Sequence, residues 1–129
     1  MVTIREVMST ELVTVSPAAT VAEAATVMGG RQVGSALVMD EGELAGIFTE
    51  RDILRALSQD FDAPGHPVSH WMTKDPSCIA PEASVGDALN RMLDGGFRHF
   101  PVSDGGKVIG VVSMRDLSRA AAEDRPASN

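Results

Sequence analysis

Gly46-Ile47-Phe48-Thr49-Glu50-Arg51-Asp52 returns 64 positions later as Gly110-Val111-Val112-Ser113-Met114-Arg115-Asp116. The same offset lays residues 7–57 on residues 71–121 without a gap, pairing Met8 with Met72, Pro17 with Pro81, Met28 with Met92, Asp40 with Asp104, Gly42 with Gly106 and Arg55 with Arg119. Self-similarity at a fixed offset sets the architecture before any motif is read. Matches at Gly, Pro, Arg and Asp carry the argument, because each of these residues does something the others cannot. The chain is one unit built twice. About 50 residues per repeat are too few to bury a good core alone, so the repeats are expected to depend on each other for packing.

Around the doubled stretch each repeat shows the same layout. Val13–Val15 is a short β-prone run ended by Pro17, and Thr20-Val-Ala-Glu23 is a capping box opening a helix. Val21, Ala24, Ala25 and Met28 fall on one helical face, and Gly29-Gly30 is expected to end it. The copy runs Cys78–Ala80, Pro81, Ser84-Val-Gly-Asp87, then Val85, Ala88, Leu89 and Met92, with Gly95-Gly96 as the stop. Ser35–Met39 and Leu44–Phe48, joined by Asp40-Glu41-Gly42, predict a tight antiparallel hairpin, as do Phe100–Val102 and Val108–Val112 around Asp104-Gly105-Gly106. A second helix is expected from Thr49 to about Ser58 and from Ser113 to about Ala122. The fold class is therefore α/β of the α+β type, with two β-α-β-β-α repeats. The expected boundaries are 1–60 for the first repeat, 61–70 for a linker rich in Pro and Gly, 71–122 for the second repeat and 123–129 for a flexible tail.

Composition excludes several classes of function. The 129 residues carry 43% hydrophobic and 22% charged side chains with few aromatics and no Tyr, so an aliphatic core is expected. A formal net charge of −7 argues against nucleic acid or an anionic membrane as the main partner. There is no apolar run long enough to span a bilayer and no basic-then-apolar start, which makes the cytoplasm the expected location. The single Cys78 cannot form an intrachain disulfide or a Cys-based zinc site, and reads as a small buried residue rather than a nucleophile. His66 and His70 have helical spacing, but Pro67 between them spoils the pair as metal ligands. Met28, Met92 and Trp71 read as packing residues.

The strand-to-helix junction holds the candidate chemistry, and two readings stand side by side. A hydroxyl followed three residues later by an acid is a capping box, and Asp in the first helical turn suits the macrodipole. Against this, Arg51 and Arg115 sit in a first turn where the dipole disfavours a cation. Gly46 and Gly110 also lie inside strands, where Gly weakens the strand unless something approaches the backbone closely.

The doubled strand–helix–hairpin–helix unit with paired Gly-x-x-Thr/Ser-x-Arg-Asp junctions resembles a tandem pair of CBS domains, the family named for cystathionine β-synthase. Val7-Met8-Ser9-Thr10, Thr14-Val15-Ser16-Pro17, Thr49-Glu50-Arg51-Asp52 and Arg98-His99-Phe100-Pro101-Val102 are all of that family's kind. The resemblance spans nearly the whole chain. It implies repeats facing each other about a pseudo-twofold axis, with two clefts able to hold an adenosine-containing ligand such as AMP, ADP or ATP, and with S-adenosylmethionine also open. It further implies that Asp52 or Asp116 accepts the ribose hydroxyls, and that Thr49 or Ser113 meets phosphate beside a helix start, where exposed N–H groups favour an anion. Thr14, Val15 and Ser16, or Cys78, Ile79 and Ala80, would lie against adenine. Arg98 and His99 would reach phosphate held by the other repeat, where the matched residues of repeat one are Gly34 and Ser35. The cleft with Thr49, Arg51, Asp52, Arg98 and His99 would then hold phosphate more tightly than the one with Ser113, Arg115, Asp116, Gly34 and Ser35.

Three functions follow in order. The first is a regulatory module that binds an adenine nucleotide and modulates a partner or its own assembly. The second is a ligand-free homodimer that serves as an interaction module for an unidentified protein. An enzyme is the weakest, because no nucleophile–base pair, metal cage or cofactor lysine stands out in the sequence. A homodimer is expected through the apolar faces Val21–Met28 and Val85–Met92, which could form a twofold interface.

Overall fold

The computed structural model describes residues 1–123. The tail expected beyond Glu123 lies outside them. In chain order the elements are α1 (Ile4–Val7), β1 (Thr14–Val15), α2 (Val21–Arg31), β2 (Ser35–Asp40), β3 (Glu43–Thr49), α3 (Glu50–Gln59), β4 (Thr73–Lys74), α4 (Val85–Gly95), β5 (His99–Asp104), β6 (Lys107–Ser113) and α5 (Met114–Glu123). Two short 3₁₀ turns, Ala63–Gly65 and Val68–His70, precede β4. The mixed α/β class and the order within each repeat follow the sequence reading.

The compact units cut across the repeats. Leu12–Pro76 forms one unit, and Met1–Glu11 joins the chain from Ser77 onward in the other. Backbone hydrogen bonds explain the exchange. In the second unit the Ile4 N–H donates to the Ala83 carbonyl at 2.9 Å and the Arg5 N–H to the Pro81 carbonyl at 2.9 Å. In the first, the matched donors Val68 and Ser69 reach the carbonyls of Ala19 at 2.8 Å and Pro17 at 3.2 Å. The segment ahead of each repeat therefore docks on the other repeat's Pro-Ala turn. Residues 61–70, expected as a linker, instead furnish core: Ala63 and Val68, with Trp71 just beyond, are buried with Val21, Ala24, Met28, Phe48 and Ala56.

In the Leu12–Pro76 unit the sheet order is β1-β2-β3-β4. β1 runs parallel to β2, pairing Thr14 with Leu37, and β4 is antiparallel to β3, pairing Lys74 with Gly46. The β2–β3 hairpin turns through Glu41 and Gly42 at φ 50° and 81°, a left-handed pair that suits a two-residue turn. In the other unit β5 and β6 form the matching hairpin, and single bridges stand where the flanking strands would be, Ile79 beside Val102 and Ser9 beside Val111. Cys78–Ala80 is thus shorter as a strand than expected. Pro101 explains the loss: at the matched position Leu37 donates its N–H to the Val13 carbonyl at 2.9 Å, and Pro101 has no N–H to give.

Two further expectations need correction. Gly29-Gly30 lies inside α2 rather than ending it, and the left-handed cap falls on Gln32 at φ 56°. The matched residue in repeat two is Gly96, at φ 71°, so the true stops are Gln32 and Gly96. The faces Val21–Met28 and Val85–Met92 also do not stand open for a partner, because Val21, Ala24 and Met28 are spent in one core and Val85, Ala88 and Met92 in the other.

Candidate functional site at the strand-to-helix junctions

Each hairpin brings its opening residues beside the end of its second strand. Ser35 pairs with Thr49 and His99 with Ser113, so both contacts form within a single repeat. The helix start is stitched to the same place: Glu50 donates to the Gly34 carbonyl at 3.0 Å, and Met114 to the Arg98 carbonyl at 2.7 Å. One of the first-turn donors that could hold an anion is therefore already used in each helix. Thr14 and Val15 lie one strand further over, opposite Leu37 and Val38 of β2 and so level with Ile47 and Gly46 rather than Thr49, with Ser16 just beyond; Ile79, flanked by Cys78 and Ala80, stands opposite Val102 of β5, level with Gly110. In the Leu12–Pro76 unit the expected adenine segment and the hydroxyl share one sheet, with the acid in the first turn of α3; in the other unit Ile79 meets β5 by a single bridge and the acid lies in the first turn of α5. Thr14, Ser16, Ala80, Arg51, Arg98 and Arg115 are exposed; Val15, Thr49, Cys78, His99 and Ser113 are partly exposed; Ser35 and Ile79 are buried.

The two acids differ. Asp52 is 7% exposed and closes a reciprocal capping box: its Oδ2 accepts from the Thr49 N–H at 2.9 Å and the Thr49 hydroxyl at 3.2 Å, while its own N–H donates to Thr49 Oγ1 at 3.4 Å. The guanidinium of Arg55 donates to Asp52 Oδ1 at 3.3 Å and to the Trp71 carbonyl at 2.6 Å, with its carbon 5.2 Å from the Trp71 ring centroid. Asp116 donates its N–H to Ser113 Oγ at 3.1 Å, and among the described residues its partly exposed carboxylate accepts no hydrogen bond. Arg55 and Trp71 were not singled out as site residues from the sequence, although the match of Arg55 with Arg119 was a signal.

The glycines have a structural explanation. A Cβ on Gly46 would sit 2.6 Å from Met72 Sδ and 2.7 Å from the Thr73 carbonyl oxygen; on Gly110 it would meet Met8 Sδ at 2.7 Å and the Ser9 carbonyl oxygen at 2.9 Å. The close approach is made by the exchanged Met segment, which also accounts for the Met8/Met72 match. Burial pushes the Cys78 thiol upward, and the nearby Arg91 charge opposes it. Among the described residues no group of three or more His, Cys, Asp or Glu is placed to hold a metal, and no helix is long and apolar enough to cross a membrane.

The CBS domain family matches residues 4–59 and 68–123. The chain belongs to the CBS domain family. A CBS domain-containing protein of Bacillus subtilis, YhcV, is 35% identical over 119 residues, covering 92% of this CBS pair and 84% of that protein. The structure of a CBS-domain containing protein of Agrobacterium tumefaciens is similar with a TM-score of 0.88 at 30% identity, covering 93% of this chain and 99% of the other. A CBS domain pair crystallised with 5′-methylthioadenosine and S-adenosyl-L-methionine shares the fold, with a TM-score of 0.87, 24% identity and coverage of 96% and 98%.

Proposed function

We propose that this CBS pair is a cytoplasmic regulatory module that takes an adenosine-containing ligand of the AMP, ADP or ATP class at its strand-to-helix junctions and answers with a change in association or shape. The observation that carries the reading is the junction itself: a hydroxyl at the end of a strand, a helix start and an acid three residues on, in the same unit as the segment expected against adenine. In this reading the acid accepts ribose hydroxyls, the hydroxyl and the second N–H of the helix meet phosphate, Arg98 adds positive charge against the net −7 of the chain, and His99 offers a ring N–H. The ligands of the 24%-identical CBS pair support the adenosine class and leave the group on the 5′ carbon open. Thermal melting with AMP, ATP, S-adenosylmethionine and, as a control, GMP tests it. A ligand at 100 times its Kd stabilises by about 2.7 kcal/mol, so at least one adenosine compound should raise the melting point where GMP does not. No shift with any of them at millimolar concentration refutes the proposal.

One observation favours a homodimer alongside this reading. Leu54 (70% exposed) and Leu57 on α3, and Phe61 (98% exposed) two residues past its end, are large apolar side chains open to solvent, and they replace the buried helix faces as the surface open to a second copy. Light scattering should give twice the 13.6 kDa chain mass, falling to one mass in Leu54→Asp. A single chain mass for the wild type at high concentration removes the dimer.

A further inference from the structure

Asp52 and Asp116 stand at matched positions in matched helices, yet their carboxylates are in different states. Three donors point at Asp52: the Thr49 N–H and hydroxyl on Oδ2 and the Arg55 guanidinium on Oδ1. A carboxylate offers about four acceptor sites, so at most about one remains, on a side chain only 11% exposed. A ribose presenting two hydroxyls has too few open sites there. At Asp116 all of them are open, since neither Ser113 nor Arg119 donates to its carboxylate among the described residues.

The cause lies outside the motif. Arg55 is fixed by Trp71, which supplies a carbonyl at 2.6 Å and a ring beneath the guanidinium. Sixty-four positions earlier, the residue matched to Trp71 is Val7, which has no ring to offer Arg119. Among the described residues Arg119 accordingly makes no hydrogen bond or ion pair, and it does not close on Asp116. A planar guanidinium loses less freedom in pairing a carboxylate when its orientation is already fixed, and Trp71 fixes one of the two.

Resting on the adenosine reading above, we infer that Arg55, held by Trp71, is a positioning residue that commits Asp52 to capping α3 and leaves ribose recognition to Asp116. The charge count alone favours the Thr49 junction for phosphate; the hydrogen bonds favour the Ser113 junction for ribose, and ribose contact is what every adenosine ligand shares. The module then binds one ligand per chain rather than two.

Titration calorimetry of AMP, and separately of S-adenosylmethionine, into the full chain tests this by stoichiometry, which a merely structural role for Arg55 would not alter. The wild type should bind one equivalent. Asp116→Asn keeps the side-chain shape and the backbone N–H to Ser113, and should weaken binding at least about tenfold. Arg55→Gln, or Arg55→Met if the first does not fold, frees Oδ1 of Asp52 and should raise the stoichiometry toward two. Two equivalents in the wild type, full affinity in Asp116→Asn, or one equivalent in both Arg55 variants overturns the inference while leaving the adenosine reading intact. A wild type that binds neither compound overturns both.

Discussion

Replacing Gly46 by Ala tests the packing that holds the junction in place. The added Cβ falls 2.6 Å from Met72 Sδ and 2.7 Å from the Thr73 carbonyl oxygen. The methionine can swing aside, being unbranched and flexible. The carbonyl cannot, because Thr73 and Lys74 are paired with Ile47 and Gly46 in the same sheet. Overpacking of this kind destabilises by about 1–3 kcal/mol. Reduced freedom of the unfolded chain returns about 0.4–1 kcal/mol. The net expectation is a loss of about 1–2 kcal/mol, which at roughly 3–5 °C per kcal/mol for a chain of this size lowers the Tm by about 3–10 °C. Trp71 is the single tryptophan and adjoins Met72, so its fluorescence reports melting of the unit that carries the substitution. Adding Met72→Ala should not restore the loss, since the backbone clash remains. A Gly46→Ala protein that melts at or above the wild-type temperature refutes the reasoning and returns Gly46 to the ligand-approach explanation.

Gln32→Gly relieves a left-handed backbone and Gly29→Ala removes a glycine from the interior of α2 where a Cβ meets nothing; each should raise stability by about 0.5–1 kcal/mol in urea titrations, with their sum in the double variant. Burial raises the Cys78 thiol, so iodoacetamide at pH 8 should alkylate the folded protein more slowly than the urea-unfolded chain. By the same sign, the stability tied to the protonated thiol is present at neutral pH and is lost as pH rises through the raised value, a loss Cys78→Ser should reduce in alkaline melts. Ile4→Ala empties a fully buried position and should destabilise by about 2–5 kcal/mol, a large effect for a residue so near the start of the chain, checked by denaturant unfolding.

Turn residues made the hairpins legible, and 3.6-residue spacing with capping residues the four long helices, because each repeat confirmed the other. What stayed hidden depends on partners the offset does not identify. Met8 and Met72 match whichever repeat they pack on, and only the donors of Ile4 and Val68 reveal the exchange. Gly29-Gly30 resembles a helix stop, but it is one turn early against Gly96, and the offset pointing to Gln32 was outweighed by residue type. Gly46 announces that something comes close without saying whether it is a ligand or Met72. The junction residues were legible as a set. The different hydrogen bonding of Asp52 and Asp116 was not, because it goes with Trp71 against Val7, distant in sequence from both acids.

An adenosine ligand at these junctions should perturb the backbone amides around it when the ¹⁵N-labelled chain is titrated with AMP. Saturable shifts are expected, concentrated at Cys78, Ile79, Ala80, Ser113, Arg115 and Asp116. A spectrum unchanged at millimolar AMP, or shifts confined to Leu54, Leu57 and Phe61, contradicts the adenosine reading.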